Sequence, residues 1–209
     1  AMSLTLAIDT SVGVSVALCD GGVPVAERVI DHHGVQGEQT AVLVRDLLAE
    51  CGWLPSHIER IVVGVGPGPF TGLRVGLATG AAMGLALTVP VVGVCSLDAV
   101  VWDSDFSDGV AVSDARRKEL YYLPFSSGLP GKPGVAAPTD IAERYAGIDI
   151  VGPAAHMYAP QVSGTVIALR AAALVASLDA GHSTARLVTP MYLRRPDAQP
   201  SVTRKSVMG

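Results

Sequence analysis

A short apolar strand at 60–65 runs into Gly66-Pro67-Gly68-Pro69, and a long helix opens at Thr71. Strand, tight turn and helix start form a recurring anion-binding arrangement, because the first N–H groups of a helix lack intrahelical partners. Thr71 fits the N-cap, where its hydroxyl would accept one of those N–H groups. The same geometry also serves as a plain connector. Other reactive residue types are scattered. His32 and His33 adjoin in a polar segment, while His57, His156 and His182 stand apart, without the clustered ligands a metallopeptidase needs. Cys19, Cys51 and Cys95 are widely spaced, show no CxxC pattern and read as reduced, buried thiols. No GxSxG elbow accompanies any serine, although a triad dispersed along the chain stays open at this level. No catalytic residue and no metal ligand is nominated.

The helix after the turn carries Gly72, Gly76, Gly80 and Gly84 at four-residue spacing. Each glycine in a helix interior costs about 1 kcal/mol relative to alanine, so the stripe needs close approach to compensate. That approach is either packing inside the same domain or contact with a helix of another subunit. Val75 to Val94 has no charged residue, the length of a membrane span. Only three of those residues are Leu and none is Ile or Phe, and Pro90 must end the helix. A soluble helix followed by a buried strand is expected instead.

The 209 residues are 49% hydrophobic and 16% charged, with net charge -4. No block of Lys or Arg is present, which argues against nucleic-acid binding by the chain alone. The opening apolar run, 4–8, is too short for a signal peptide and lacks a basic flank. A cytoplasmic protein without a membrane association is expected.

Periodicity and turn signals place strands at 4–9, 13–19 and 23–30, with Asp20-Gly21-Gly22 as a hairpin turn. A helix at 38–51, a strand at 60–65, the Gly-striped helix at 71–88 and a strand at 89–94 complete a first lobe, 1–105. The second lobe, 106–209, echoes it more weakly. Strands fall at 109–114, 119–125 and 135–137, with a helix at 139–146 capped by Thr139. A strand at 148–151, a helix at 165–178, an extended run at 187–193 and a polar tail from 194 follow. Two lobes of β-β-β-α-β-α type, the second reduced, give an α/β chain of the actin-like, Hsp70 ATPase (ASKHA) architecture. In that fold an Asp at the first hairpin sits beside the nucleotide phosphates. Asp9 holds that position, and Asp9, Thr10 and Ser11 read either as a vestigial nucleotide site or as hydrogen-bonding residues of the hairpin turn.

Four segments in order carry a closer resemblance: Leu6-Ala7-Ile8-Asp9-Thr10-Ser11, the block Gly66 to Gly76, Ser113-Asp114-Ala115-Arg116-Arg117-Lys118-Glu119-Leu120-Tyr121, and Pro190-Met191-Tyr192-Leu193-Arg194. Together they resemble the bacterial TsaB family, also called YeaZ. The resemblance implies a non-catalytic subunit for N6-threonylcarbamoyladenosine (t6A) at position 37 of tRNA. It implies pairing with a TsaD-like paralogue, work alongside a TsaE-like ATPase, a homodimer in isolation, and tRNA contact only within the complex. No cofactor is expected on this chain itself; ATP and metal belong to the partners. TsaD-like proteins carry an HxxxH pair where this chain has Ser96 to Trp102, and a Gly-rich loop where it has Val151 to His156. The alternative is a stand-alone ATP-dependent enzyme or M22-type peptidase of the same fold.

In that family the first two helices form the partner interface. Carried onto this chain, the interface comprises Gln39, Val42, Leu43 and Asp46 on one helix and Thr71, Arg74, Val75, Gly76, Thr79, Gly80 and Met83 on the other. Gly76→Leu or Gly80→Leu is then expected to block pairing more than folding. Arg116, Arg117 and Lys118 form the one dense basic spot, read as a solvated hairpin tip or as a contact to tRNA or partner, which Arg194, Arg195, Arg204 and Lys205 could extend.

Overall fold

In a computed structural model the described residues are 3–31, 34 and 36–194. Leu4–Asp9 (β1), Val14–Asp20 (β2) and Val23–Ile30 (β3) make an antiparallel meander, since Asp20-Gly21-Gly22 reverses the chain with both glycines at positive φ. Gln36–Glu50 (α1) then crosses to Ile58–Gly64 (β4), which joins β1 in parallel. Phe70–Leu87 (α2) crosses to Val91–Val94 (β5), parallel to β4. The resulting sheet order is β3-β2-β1-β4-β5.

Ser96–Trp102 (α3) leads into the second sheet, built from Gly109–Asp114 (β6), Leu120–Ser126 (β7), Leu129–Pro130 (β8) and Gly134–Ala136 (β9). Pro138–Arg144 (α4), Ile150–Val151 (β10) and Ala171–Asp179 (α5) complete the chain. β10 pairs β6 in parallel, and β6, β7 and β9 run antiparallel. Thus β9-β7-β6-β10 repeats the pattern of β3-β2-β1-β4 in reduced form, the actin-like duplication expected from the sequence.

Strand alternation decides the layers. Leu4, Leu6 and Ile8 of β1 and Val14, Val16 and Leu18 of β2 face α1 and α2, whose Val44, Leu47, Leu48, Leu73 and Leu77 close that core. Ala7, Ala17 and Cys19 face the other way, onto α3 and α5. The small residues on that face let α5 sit close. The first sheet ends with β5 and the second begins with β6, but α5, from the second half, completes the first sheet's layer. Arg170 fastens it, pairing with Glu27 at 2.8 Å and Asp103 at 3.4 Å, while Ala171 N–H donates to Ser15 Oγ.

Several boundaries differ from the sequence reading. α2 starts at Phe70 after Pro69 with no side-chain cap, so Thr71 lies inside the first turn rather than at the N-cap. α4 begins with Pro138 and has no side-chain cap from Thr139. α3 went unforeseen because seven residues are too short for a periodicity signal. The segment 165–170 is not helical: Thr165 bridges Val151, and Arg170 is held by its two carboxylates. Residues 187–193 form no strand; they follow an antiparallel bridge between Gly93 and Arg186 that covers the outer edge of β5. The tail positions Arg195, Arg204 and Lys205 lie outside the described residues. Cys19, Cys51 and Cys95 are free; Cys19 and Cys95 are buried and Cys51 is half-buried. Burial pushes the Cys19 thiol up to about 12, so it is an inert core thiol.

A closed Asp9 corner and an open helical face

The β1–β2 hairpin delivers Asp9, Thr10 and Ser11 to the start of α2, and all three are buried. Asp9 Oδ1 accepts from the Ser11 N–H at 2.8 Å and the Ser11 hydroxyl at 2.6 Å. Thr10 Oγ1 donates to Gly72 O at 2.7 Å and accepts from Gly76 N–H at 3.0 Å. One hydroxyl therefore joins both members of a step in the α2 ladder to the end of β1. These hydrogen bonds engage the hydroxyls of Thr10 and Ser11 and the Ser11 N–H within the turn.

The space beside this corner is small. The cavity beside it, lined by Asp9, Gly13, Ser15, Asp31 and Pro153 among others, measures about 70 Å³, against the several hundred Å³ of a small-molecule site. The facing segment offers Pro153, which has no N–H, after a Gly152 packed onto the Val112 carbonyl. Among the described residues no group of three or more His, Cys, Asp or Glu side chains is placed to hold a metal. His57 and His182 are spent locally: the His57 ring accepts the Leu54 N–H, and His182 packs edge-on to Trp102. His32 and His33 lie outside the described residues. Where the HxxxH pair of the resembling catalytic subunit would fall, α3 buries Ser96 and Asp98.

Asp9 Oδ2 has no hydrogen bond of good geometry. Burial pushes the Asp9 carboxyl up from the ordinary carboxylate range, with the Ser11 and Ser96 hydroxyls opposing it only in part. An acid raised on folding binds its proton more tightly in the native state. Its stability contribution is therefore present at low pH and lost as pH rises through the folded value. Asp9→Asn mimics the protonated acid. Its melting temperature is expected to exceed wild type at pH 8, by the equivalent of about 1–3 kcal/mol for relief of a buried unpaired charge. The fall in stability from pH 4 to 8 should be shallower, with a remainder from Asp98 and Asp103, which burial also raises. Parallel melting curves of mutant and wild type across that range would show that Asp9 is already charged at no cost.

The Gly stripe faces inward. A Cβ at Gly76 would stand 2.5 Å from Thr10 Oγ1, one at Gly72 2.8 Å from Thr10 O, and one at Gly80 2.9 Å from Val63 Cγ1; Gly84 packs on Val91. Gly76 and Gly80 are therefore removed from the expected interface. They seat α2 on β1 and β4, and their replacement by Leu would disrupt the fold before it reached any partner. The remaining expected positions are reachable: Val42, Thr71 and Arg74 are exposed, and Gln39, Leu43, Asp46, Val75, Thr79 and Met83 are half-buried. Leu43 and Met83 also touch the core between helices and sheet. Sequence reasoning missed the opposite side of α2. Ala78, Ala82 and Leu85, spaced four and then three residues apart, are exposed, Leu85 at 84%. Of these, Ala82 borders an apolar groove of about 540 Å³ between α1 and α2, together with Ala41, Leu48, Trp53, Leu54, Thr79 and Met83. Helical spacing opposite the glycines was the available signal.

Arg116, Arg117 and Lys118 form an exposed turn between β6 and β7, all three in left-handed backbone (φ 63°, 55° and 60°). Asp114 caps the turn by accepting the Arg116 N–H at 2.8 Å. Arg194 reaches back to it, donating to Ala115 O at 3.1 Å and pairing with Glu119.

Comparison with known proteins matches this architecture. A family model described as TsaD, tRNA N6-adenosine threonylcarbamoyltransferase, matches residues 20–128. An uncharacterized protein of Mycobacterium leprae is 38% identical over 95% of this chain, which spans 57% of that relative's length. The tRNA threonylcarbamoyladenosine biosynthesis protein TsaB of Bacillus subtilis is 31% identical over 56% of this chain and 52% of its own length. The solved structure of YeaZ from Pseudomonas aeruginosa superposes with a TM-score of 0.72 at 27% identity, over 92% of this chain and 100% of that one. On its family-model match, its relatives and its shared fold, this chain belongs to the TsaB (YeaZ) family of TsaD-type domains.

Proposed function

We propose that this chain is a non-catalytic subunit of t6A biosynthesis, which binds a TsaD-like paralogue through the outer faces of α1 and α2 and acts with a TsaE-like ATPase. The observation that carries the reading is a contrast within one lobe. The corner where a nucleotide would sit is filled by its own hydrogen bonds, while the helices beside it leave an apolar face and a groove of about 540 Å³ uncovered. An exposed apolar surface of that kind marks a protein partner. The names borne by the TsaB relatives supply the pathway. In isolation a second copy takes the same face, so homodimer and heterodimer compete by mass action.

Reconstitution tests it. Threonylcarbamoyladenosine is measured on tRNA with TsaC, TsaD and TsaE, without this chain, with wild type, and with Asp9→Asn. Product is expected only when the chain is added, and equally for both forms. Loss of product with a well-folded Asp9→Asn would sink the non-catalytic reading, as would micromolar, magnesium-dependent ATP binding by the isolated chain.

A further inference from the structure

The described cations differ in how closely a carboxylate neutralises them. Arg28, Arg45, Arg60 and Arg170 are each tied to a carboxylate within 3 Å. Arg74, Lys118, Lys132, Arg144 and Arg186 have no carboxylate within 4 Å among the described residues; Arg144 packs on Tyr122, and the other four lie along one path. That path is the segment 186–194. At its start Arg186 and Lys132 flank Met191 and Leu193 around a groove of about 410 Å³. In the middle Tyr192 stacks on Phe70 with ring centroids 5.1 Å apart, and Arg74 lies 3.7 Å over the Phe70 ring while donating to Tyr192 Oη at 3.1 Å. At its end Arg194 clasps the hairpin whose tip carries Lys118. Phe70 and Tyr192 remain 45% and 39% exposed. Nine residues of chain span at most about 30 Å, so cations and aromatic rings share one strip.

We propose that this strip binds single-stranded RNA, phosphates against Lys132, Arg186 and Lys118, and a base against the Phe70–Tyr192 pair. Charge complementarity selects a polyanion, because four described cations without a carboxylate within 4 Å are gathered here in a chain of net charge -4. The exposed rings among them select RNA over an acidic peptide, since unpaired bases stack on aromatic and guanidinium planes. Arg74 stands on α2, at the rim of the partner face, so an RNA on the strip would continue toward a bound partner. The inference rests on the proposed role in tRNA modification and names the surface that role uses.

Fluorescence anisotropy with a labelled single-stranded RNA of about 12 nucleotides, titrated with the full chain between about 50 and 200 mM salt, tests it. Wild type should bind, with affinity falling as salt rises. The double variant Lys132→Gln, Arg186→Gln should bind about tenfold more weakly, and its log–log salt slope should be lower by about 1.4, two single-strand phosphate contacts. Tyr192→Ala should weaken binding about tenfold and leave the slope unchanged. Arg28→Gln, away from the strip, should change neither. Absence of RNA binding by wild type, or equal slopes for wild type and the double variant, would overturn the proposal. Displacement of the RNA by polyglutamate that depends on the same residues would also overturn it, by reassigning the strip to an acidic protein segment. Pairing with the TsaD-like partner, followed by sedimentation on the same preparations, separates the two readings. Pairing without RNA binding removes this inference alone, and loss of pairing removes the role beneath it.

Discussion

Gly64→Ala is expected to lower the melting temperature by about 10 °C, from a loss of about 3 kcal/mol or more. A methyl group there would overlap Asp9 Oδ2 and stand 2.7 Å from Ser96 Oγ. Neither group can move cheaply. Asp9 is buried and held by two bonds from Ser11, and Ser96 Oγ accepts the Gly66 N–H at 3.0 Å. The backbone of Gly64 is ordinary strand, so the effect is one of space and not of conformational freedom. Gly37→Ala provides the contrast. Nothing lies within 4 Å of a Cβ there, the residue is in α1, and the change should be neutral or stabilising by up to about 1 kcal/mol. Thermal melts of the two variants decide the point. A Gly64→Ala protein melting within about 2 °C of wild type would mean that the Asp9 corner yields easily, contrary to its packing.

Ala82→Arg is expected to weaken pairing with the TsaD-like partner by about a hundredfold, a hot-spot-sized loss, and to abolish product in the reconstituted assay at stoichiometric protein. Ala82 is exposed on α2 and lines the groove between the helices. An arginine there fills apolar space with a charge that the partner would have to desolvate. Alanine to arginine costs little helix propensity, so the melt should stay within about 2 °C of wild type. Analytical ultracentrifugation of the mixture reads the affinity. Unimpaired pairing would show that the partner docks elsewhere and that the groove is incidental.

Elements whose signals are local were legible in the chain. The Asp20-Gly21-Gly22 hairpin, the strand at 23–30, the strand at 109–114 and the cis-acting order of strands and helices came from turn residues and periodicity, because backbone preference there is decided by neighbours in sequence. The closeness demanded by the four glycines was also legible, but not its object. Spacing every four residues states that something must approach the helix. Only the register of β1 and β4 under α2 shows that Thr10, Val63 and Val91 are what approaches. The same holds for Asp9. Its place at the end of the first strand followed from sequence, whereas its burial, its unpaired oxygen and the small cavity beside it depend on Gly64, Ser96 and Pro153 arriving from distant segments. The strip along 186–194 was out of reach of sequence altogether. Lys132, Arg186, Arg74 and Lys118 are far apart in the chain, and no local pattern encodes which cations lack a carboxylate. Local backbone and side-chain preferences set the elements; pairwise contacts between remote residues, which only the tertiary structure creates, decided which faces are closed and which are left open to act.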